Sequence, residues 1–279
     1  MFTLTGFGDE IGPNLAEQMD VMGAEGVKFI ELRGVNNKNV MEFTQDECTE
    51  FKKMLDDRGF GISAIGSPIG KVKVNNDFDK YLDDFKHALD LAKFFEAKYI
   101  RLFTYYPPDG EDINDYRDEV MRRMKIKTDL AEKADVILLS ENESSLYGMS
   151  PENCADVLET VNSPYLKAIF DPANFILRGF KPFDRCWPLL KKHTAYFHIK
   201  DAKLGEGEEG GHMTVAGEGD GQIPEVLADA VASGFDGFAS LEPHLAKGGK
   251  FSGFTGPDKF VGAIRAIKKV IENVGGKYQ

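Results

Sequence analysis

The stretch Ile137-Leu138-Leu139-Ser140-Glu141-Asn142 is an apolar run that ends on a carboxylate and then on a turn former. The pattern recurs three times downstream. Ala168-Ile169-Phe170-Asp171-Pro172, Tyr196-Phe197-His198-Ile199-Lys200 and Ala239-Ser240-Leu241-Glu242-Pro243 each carry a metal-ligand side chain where a short β-rich run meets turn chemistry. A charged side chain at such a place is costly unless it is paired or bound to a cation. One acidic strand end is ordinary, because it caps a helix or holds a salt bridge. Four successive ones point to a shared ion.

The chain around these runs alternates strand-like and helix-like segments from end to end. Strands are expected at Phe2–Phe7, Val27–Arg33, Gly61–Gly66, Tyr99–Thr104, Val136–Glu141, Ala168–Asp171, Tyr196–Lys200 and Phe238–Glu242. Helices are expected over Pro13–Ala24, Thr44–Arg58, Asp77–Phe95, Glu111–Ala134, Pro151–Val161, Phe183–His193, Ile223–Ala232 and Pro257–Val274. Thr44 with Glu47 forms a capping box, and Ser150-Pro151 places an N-cap before a proline at the first helical position. Continuous alternation implies a parallel sheet, and eight units suit closure into a (β/α)8 TIM barrel, with an open doubly wound sheet as the alternative. The 279 residues fit one such domain spanning 1–279, with no linker to divide it. In a barrel, all four ligand-type residues rim one mouth. The Gly/Glu-rich stretch Leu204–Gly211 is expected to form a mobile loop on that same face.

The composition narrows the partners. A formal net charge of −12 disfavours nucleic acid. No stretch is long and apolar enough to span a membrane. Three cysteines, Cys48, Cys154 and Cys186, form no C-x-x-C and fit a reducing, cytoplasmic setting, and the start of the chain has no signal-peptide pattern. A dinucleotide fold, a P-loop and a serine-hydrolase elbow are not read from the glycine patterns. Three carboxylates and one imidazole suit one moderately hard divalent ion such as Mn²⁺, with Mg²⁺, Co²⁺ and Zn²⁺ as alternatives.

Several other residues are candidates for the mouth. Lys200 shares the orientation of His198 if the strand continues, and so either binds a substrate hydroxyl or neutralises a carboxylate. His212 is either a substrate contact or a surface histidine. Lys71 either reaches over the mouth or stays solvated. Glu31 either binds a sugar or pairs with Arg101. His244 follows Glu242 closely enough to support it.

The motifs Ser140-Glu141-Asn142, Phe170-Asp171-Pro172-Ala173-Asn174, Phe197-His198-Ile199-Lys200-Asp201, Gly217-Glu218-Gly219-Asp220-Gly221 and Leu241-Glu242-Pro243 resemble the xylose isomerase-like TIM-barrel superfamily, in its branch of sugar-phosphate isomerases, epimerases and inosose dehydratases. The resemblance covers nearly the whole chain and is most specific in its second half. It implies that Glu141, Asp171, His198 and Glu242 bind the metal. It also implies that Glu141 and Glu242 face opposite sides of a sugar-like substrate, one removing a proton beside a carbonyl and the other returning one. A homodimer paired through the barrel mouths is implied by the same likeness. Many relatives carry His two places after the first metal glutamate, where this chain has Glu143, so Glu143 rivals Glu141 and strand parity does not separate them. The expected activity is a metal-dependent isomerase or epimerase. A lyase on the same scaffold is the alternative, and an endonuclease IV-like repair enzyme is disfavoured by the acidic charge and by the lack of any His before His87.

Overall fold

The computed structural model describes residues 1–205, 211–251 and 253–279, and within them the alternation closes on itself. Among the described residues the main sheet has eight parallel strands: β1 (Phe2–Gly6), β2 (Phe29–Leu32), β3 (Gly61–Ile65), β4 (Tyr99–Leu102), β5 (Ile137–Glu141), β6 (Leu166–Phe170), β7 (Thr194–Ile199) and β8 (Gly237–Leu241). Their order is β1-β8-β7-β6-β5-β4-β3-β2, so chain neighbours are sheet neighbours, and the two end strands pack side by side. This is a nearly closed (β/α)8 barrel. The helices are α1 (Leu15–Ala24), α2 (Gln45–Asp57), α3 (Phe78–Phe94), α4 (Arg117–Lys133), α5 (Pro151–Val161), α6 (Pro172–Ile176), α7 (Trp187–Leu190), α8 (Ile223–Ala232) and α9 (Pro257–Asn273). No helix among the described residues is long and apolar enough to cross a membrane.

Local chemistry sets the boundaries. Thr44 and Glu47 make the reciprocal capping box at α2, and Ser150 Oγ accepts from Asn153 N at α5. Each such cap contributes about 1 kcal/mol. The single helix expected over Glu111–Ala134 is instead a 3₁₀ turn, Ile113–Tyr116, followed by α4, because the Asp112 side chain caps the turn first. The helix expected over Phe183–His193 is also broken. Pro188 has no N–H to bond back along the chain, and a π turn over Pro182–Cys186 leads into the short α7. Of the expected mobile loop Leu204–Gly211, residues 206–210 lie outside the described residues.

Both faces of each strand are buried, as a barrel requires. The inner face holds Ala64, Leu139, Ile169 and Tyr196 as one apolar cluster. Strand parity then decides what lies above it. Two residues on from Leu139, Ile169, Tyr196 and Ser240 stand Glu141, Asp171, His198 and Glu242, carried to the C-terminal mouth on the same inward-facing rows.

Candidate metal centre

Glu141, Asp171, His198 and Glu242 each offer a ligand atom within 4.8 Å of the others, and all four are buried. His198 Nδ1 lies 3.0 Å from Glu141 Oε1 and 3.5 Å from Glu242 Oε2. Its Nε2 faces down the barrel, 3.2 Å from Glu31 Oε2. Glu31 also accepts from the Tyr196 hydroxyl at 2.9 Å, and that hydroxyl meets Ser63 Oγ at 2.9 Å. A polar stem inside the barrel thus fixes the imidazole from below. Asp171 does two jobs: its Oδ1 accepts from Asn174 N as the N-cap of α6, while its Oδ2 faces the cluster. Asn142 exchanges two 3.0 Å hydrogen bonds with the Asp171 backbone and ties the ends of β5 and β6 together.

Cations surround the acids. Lys200 Nζ stands 2.8 Å from Asp171 Oδ2 and 2.9 Å from Glu242 Oε2. Arg101 faces Glu141 Oε2 at 3.4 Å, and Arg33 meets Glu242 Oε1 at 3.0 Å. Both guanidinium groups stack on the Phe7 ring, at 4.9 Å and 4.3 Å from its centroid. Burial opposes charge on Glu141, but His198 and Arg101 outweigh it and hold the carboxyl down at about 2. Burial wins at Asp171, which Lys200 offsets only partly, leaving it at about 6. Burial also opposes charge on His198, yet Glu141 and Glu31 hold the imidazole up at about 10. Glu242 is kept well below the usual carboxylate range by Lys200 and His244, against its burial.

Each residue expected at the mouth has a definite place. Lys200 is buried between two acids. Lys71 pairs with Glu143 at 3.0 Å and lies over the Phe103 ring. Glu143 therefore points to Lys71 and lies outside the cluster that Glu141 joins. His212 is exposed, opposite Lys203 in a small antiparallel hairpin. Glu31 is fully buried beneath His198, and of its two readings the pairing with Arg101 is not formed; Arg101 instead meets Glu141 and donates to Gly66 O. The structure adds Glu10, Arg33 and Asn174. Arg33 follows β2 directly, two places after Glu31, and so shares its inward side. Glu10 sits in a 3₁₀ turn with no periodic signal.

The Gly217–Gly221 motif also finds its reason. Asp201 accepts from the backbone N–H of Gly217, Gly219, Gly221 and Ala202, at 2.9–3.1 Å. A Cβ on Gly219 would come within 2.2 Å of Asp201 Oδ1, so only glycine allows this approach.

Comparison with known proteins agrees with the barrel fold. The family model described as "Xylose isomerase-like TIM barrel" matches residues 20–270. The chain belongs to the xylose isomerase-like TIM-barrel family. A curated relative, the 3-dehydroshikimate dehydratase of Bacillus anthracis, is 21% identical over 230 residues, covering 78% of this chain and 81% of its own. Among solved structures, a xylose isomerase-like TIM-barrel protein from Mycobacterium smegmatis in complex with magnesium superposes with a TM-score of 0.75 at 16% identity, covering 98% of this chain and 97% of its own. A D-tagatose 3-epimerase-like protein superposes with a TM-score of 0.77 at 15% identity, covering 98% of both chains. These two likenesses establish the fold.

Proposed function

We propose that this family member is a divalent-metal-dependent isomerase or epimerase that moves a proton at the carbon beside a carbonyl of a sugar-like substrate. The observation that carries the reading is the convergence of Glu141, Asp171, His198 and Glu242 at one buried point. The residues fit an ion. Glu141 Oε2 and Asp171 Oδ2 are buried without a hydrogen-bond partner among the described residues, although Lys200 and Arg101 lie close as ionic neighbours. When bound, the ion supplies Lewis-acid stabilisation of the negative charge that develops on the substrate carbonyl oxygen. Mn²⁺ suits the donor set, as do Mg²⁺, Co²⁺ and Zn²⁺.

The chain's own residues do the rest. Glu141 and Glu242 act as the proton acceptor and donor, and Arg101 and Arg33 hold their carboxylates in place. Glu31 orients His198 from below. Lys200, and at the rim Lys71 and His212, contact substrate oxygens.

A second reading is a lyase, favoured by the dehydratase among the relatives. Elimination begins with the same proton removal, so the two differ in what leaves next. Incubating Mn²⁺-loaded protein in D₂O with ketoses, 3-oxo sugars and 3-dehydroshikimate separates them. Deuterium in recovered or isomerised sugar, lost in Glu242→Gln, is the expected result. An unsaturated product with loss of water would replace the isomerase by the lyase, and no exchange with any compound would remove both.

A further inference from the structure

A second group of ligand atoms converges beside the first, and the four-residue cluster leaves most of it unused. Glu10 is fully buried at the end of the turn after β1. Its Oε2 accepts from His244 N at 2.9 Å and Thr255 Oγ1 at 2.6 Å, which pins the segment after β8 across β1. Its Oε1 has no hydrogen-bond partner among the described residues and faces His244 Nε2 at 3.3 Å. His244 Nε2 is likewise unbonded among them and lies 3.3 Å from Glu242 Oε1.

Those separations lack hydrogen-bond geometry but fit another arrangement. Two donors at right angles about an ion, each roughly 2.2 Å away, are roughly 3.1 Å apart. The backbone of the segment after β8 approaches them closely. A Cβ on Gly253 would lie 2.2 Å from His244 Nε2 and 3.0 Å from Glu10 Oε1, so only glycine lets the chain pass this close to the two unpaired atoms. The local charge also calls for a cation. Asp9 and Glu10 are buried beside the Arg33 guanidinium, at 2.9 and 3.9 Å, and that same group also meets Glu242 at 3.0 Å, which Lys200 approaches from its other oxygen. Arg33 is thus divided among three acids, and Glu10, at 3.9 Å, is the one it approaches least closely.

We propose that Glu10, His244 and Glu242 form a second divalent-cation site. Glu242 bridges the two sites: Oε2 faces Lys200 and His198, and Oε1 faces His244 and Arg33. The bridging role rests on the metal reading given above; the Glu10–His244 half does not. A pair of ions sharing one carboxylate would clamp two neighbouring oxygens of a polyol or hydroxy-ketone substrate. Arg33 competes for Glu242 Oε1, so the second ion binds more weakly than the first.

Equilibrium dialysis of the full chain against a series of Mn²⁺ concentrations, with metal content read by mass spectrometry and spin coupling by electron paramagnetic resonance, tests this. The expected result is two ions per chain at saturation, with a coupled-pair signal. His244→Ala and Glu10→Gln each reduce this to one uncoupled ion whose affinity changes less than about tenfold. Because Glu10 also anchors the segment after β8, the half-buried His244 gives the cleaner variant, and its circular dichroism spectrum should match that of the parent. One ion per chain in the parent, or a second ion retained by both variants, overturns the second site and leaves the four-residue centre standing. No bound ion at all overturns both.

Discussion

Glu31 touches no solvent, yet it is placed to govern the one imidazole of the cluster. Its carboxylate holds His198 Nε2 and the Tyr196 hydroxyl, so it sets which ring nitrogen is free to face Glu141 and Glu242. Partners of this kind behind a ligand typically contribute 10–100-fold to metal affinity. Glu31→Gln is therefore expected to weaken Mn²⁺ binding by roughly that factor, measured by isothermal titration, while leaving the circular dichroism spectrum intact. Unchanged affinity would mean that His198 is held by something else. The four ligand-type residues were legible in the sequence because each closes an apolar run at a strand end. Their partners were not, because the closing barrel brings together residues far apart in the chain. Arg33 and Glu242 are separated by 209 positions, and no local pattern announces that pair.

At the scale of the element, α4 carries a cost that its sequence pattern does not reveal. Lys127 is fully buried against the Tyr105 ring, 4.6 Å from its centroid, and its ammonium has no hydrogen-bond partner among the described residues. Burial, with help from the charge of Arg123, pulls the amine down from 10.5 to about 7. The unfolded chain therefore binds more protons than the folded one between about pH 7 and 10.5, and stability rises with pH across that window. The full effect is bounded at roughly 5 kcal/mol. Lys127→Met should stabilise the protein near pH 7 and flatten the rise seen by urea denaturation between pH 7 and 10; a lower midpoint at pH 7 would contradict this. The elements themselves were largely readable, α5 and α8 to the residue, since caps and prolines mark their ends. The segment after β6 was not, because Asp171-Pro172 opens a five-residue helix too short to show any periodicity.

For the whole molecule, the metal reading makes the barrel's stability depend on its ligand. An ion at 100 times its dissociation constant contributes about 2.7 kcal/mol. Chelation should then lower the melting temperature by about 5–10 °C, measured by calorimetry with and without EDTA, and added Mn²⁺ should restore it. The measurement that bears most directly on the account is a crystal structure of Mn²⁺-loaded protein with anomalous diffraction collected at the manganese edge. A strong peak bonded to Glu141, Asp171, His198 and Glu242 at the mouth of the barrel is the expected result. Density showing those four side chains joined only to Lys200, Arg33 and Arg101, with no anomalous peak among them, would contradict it.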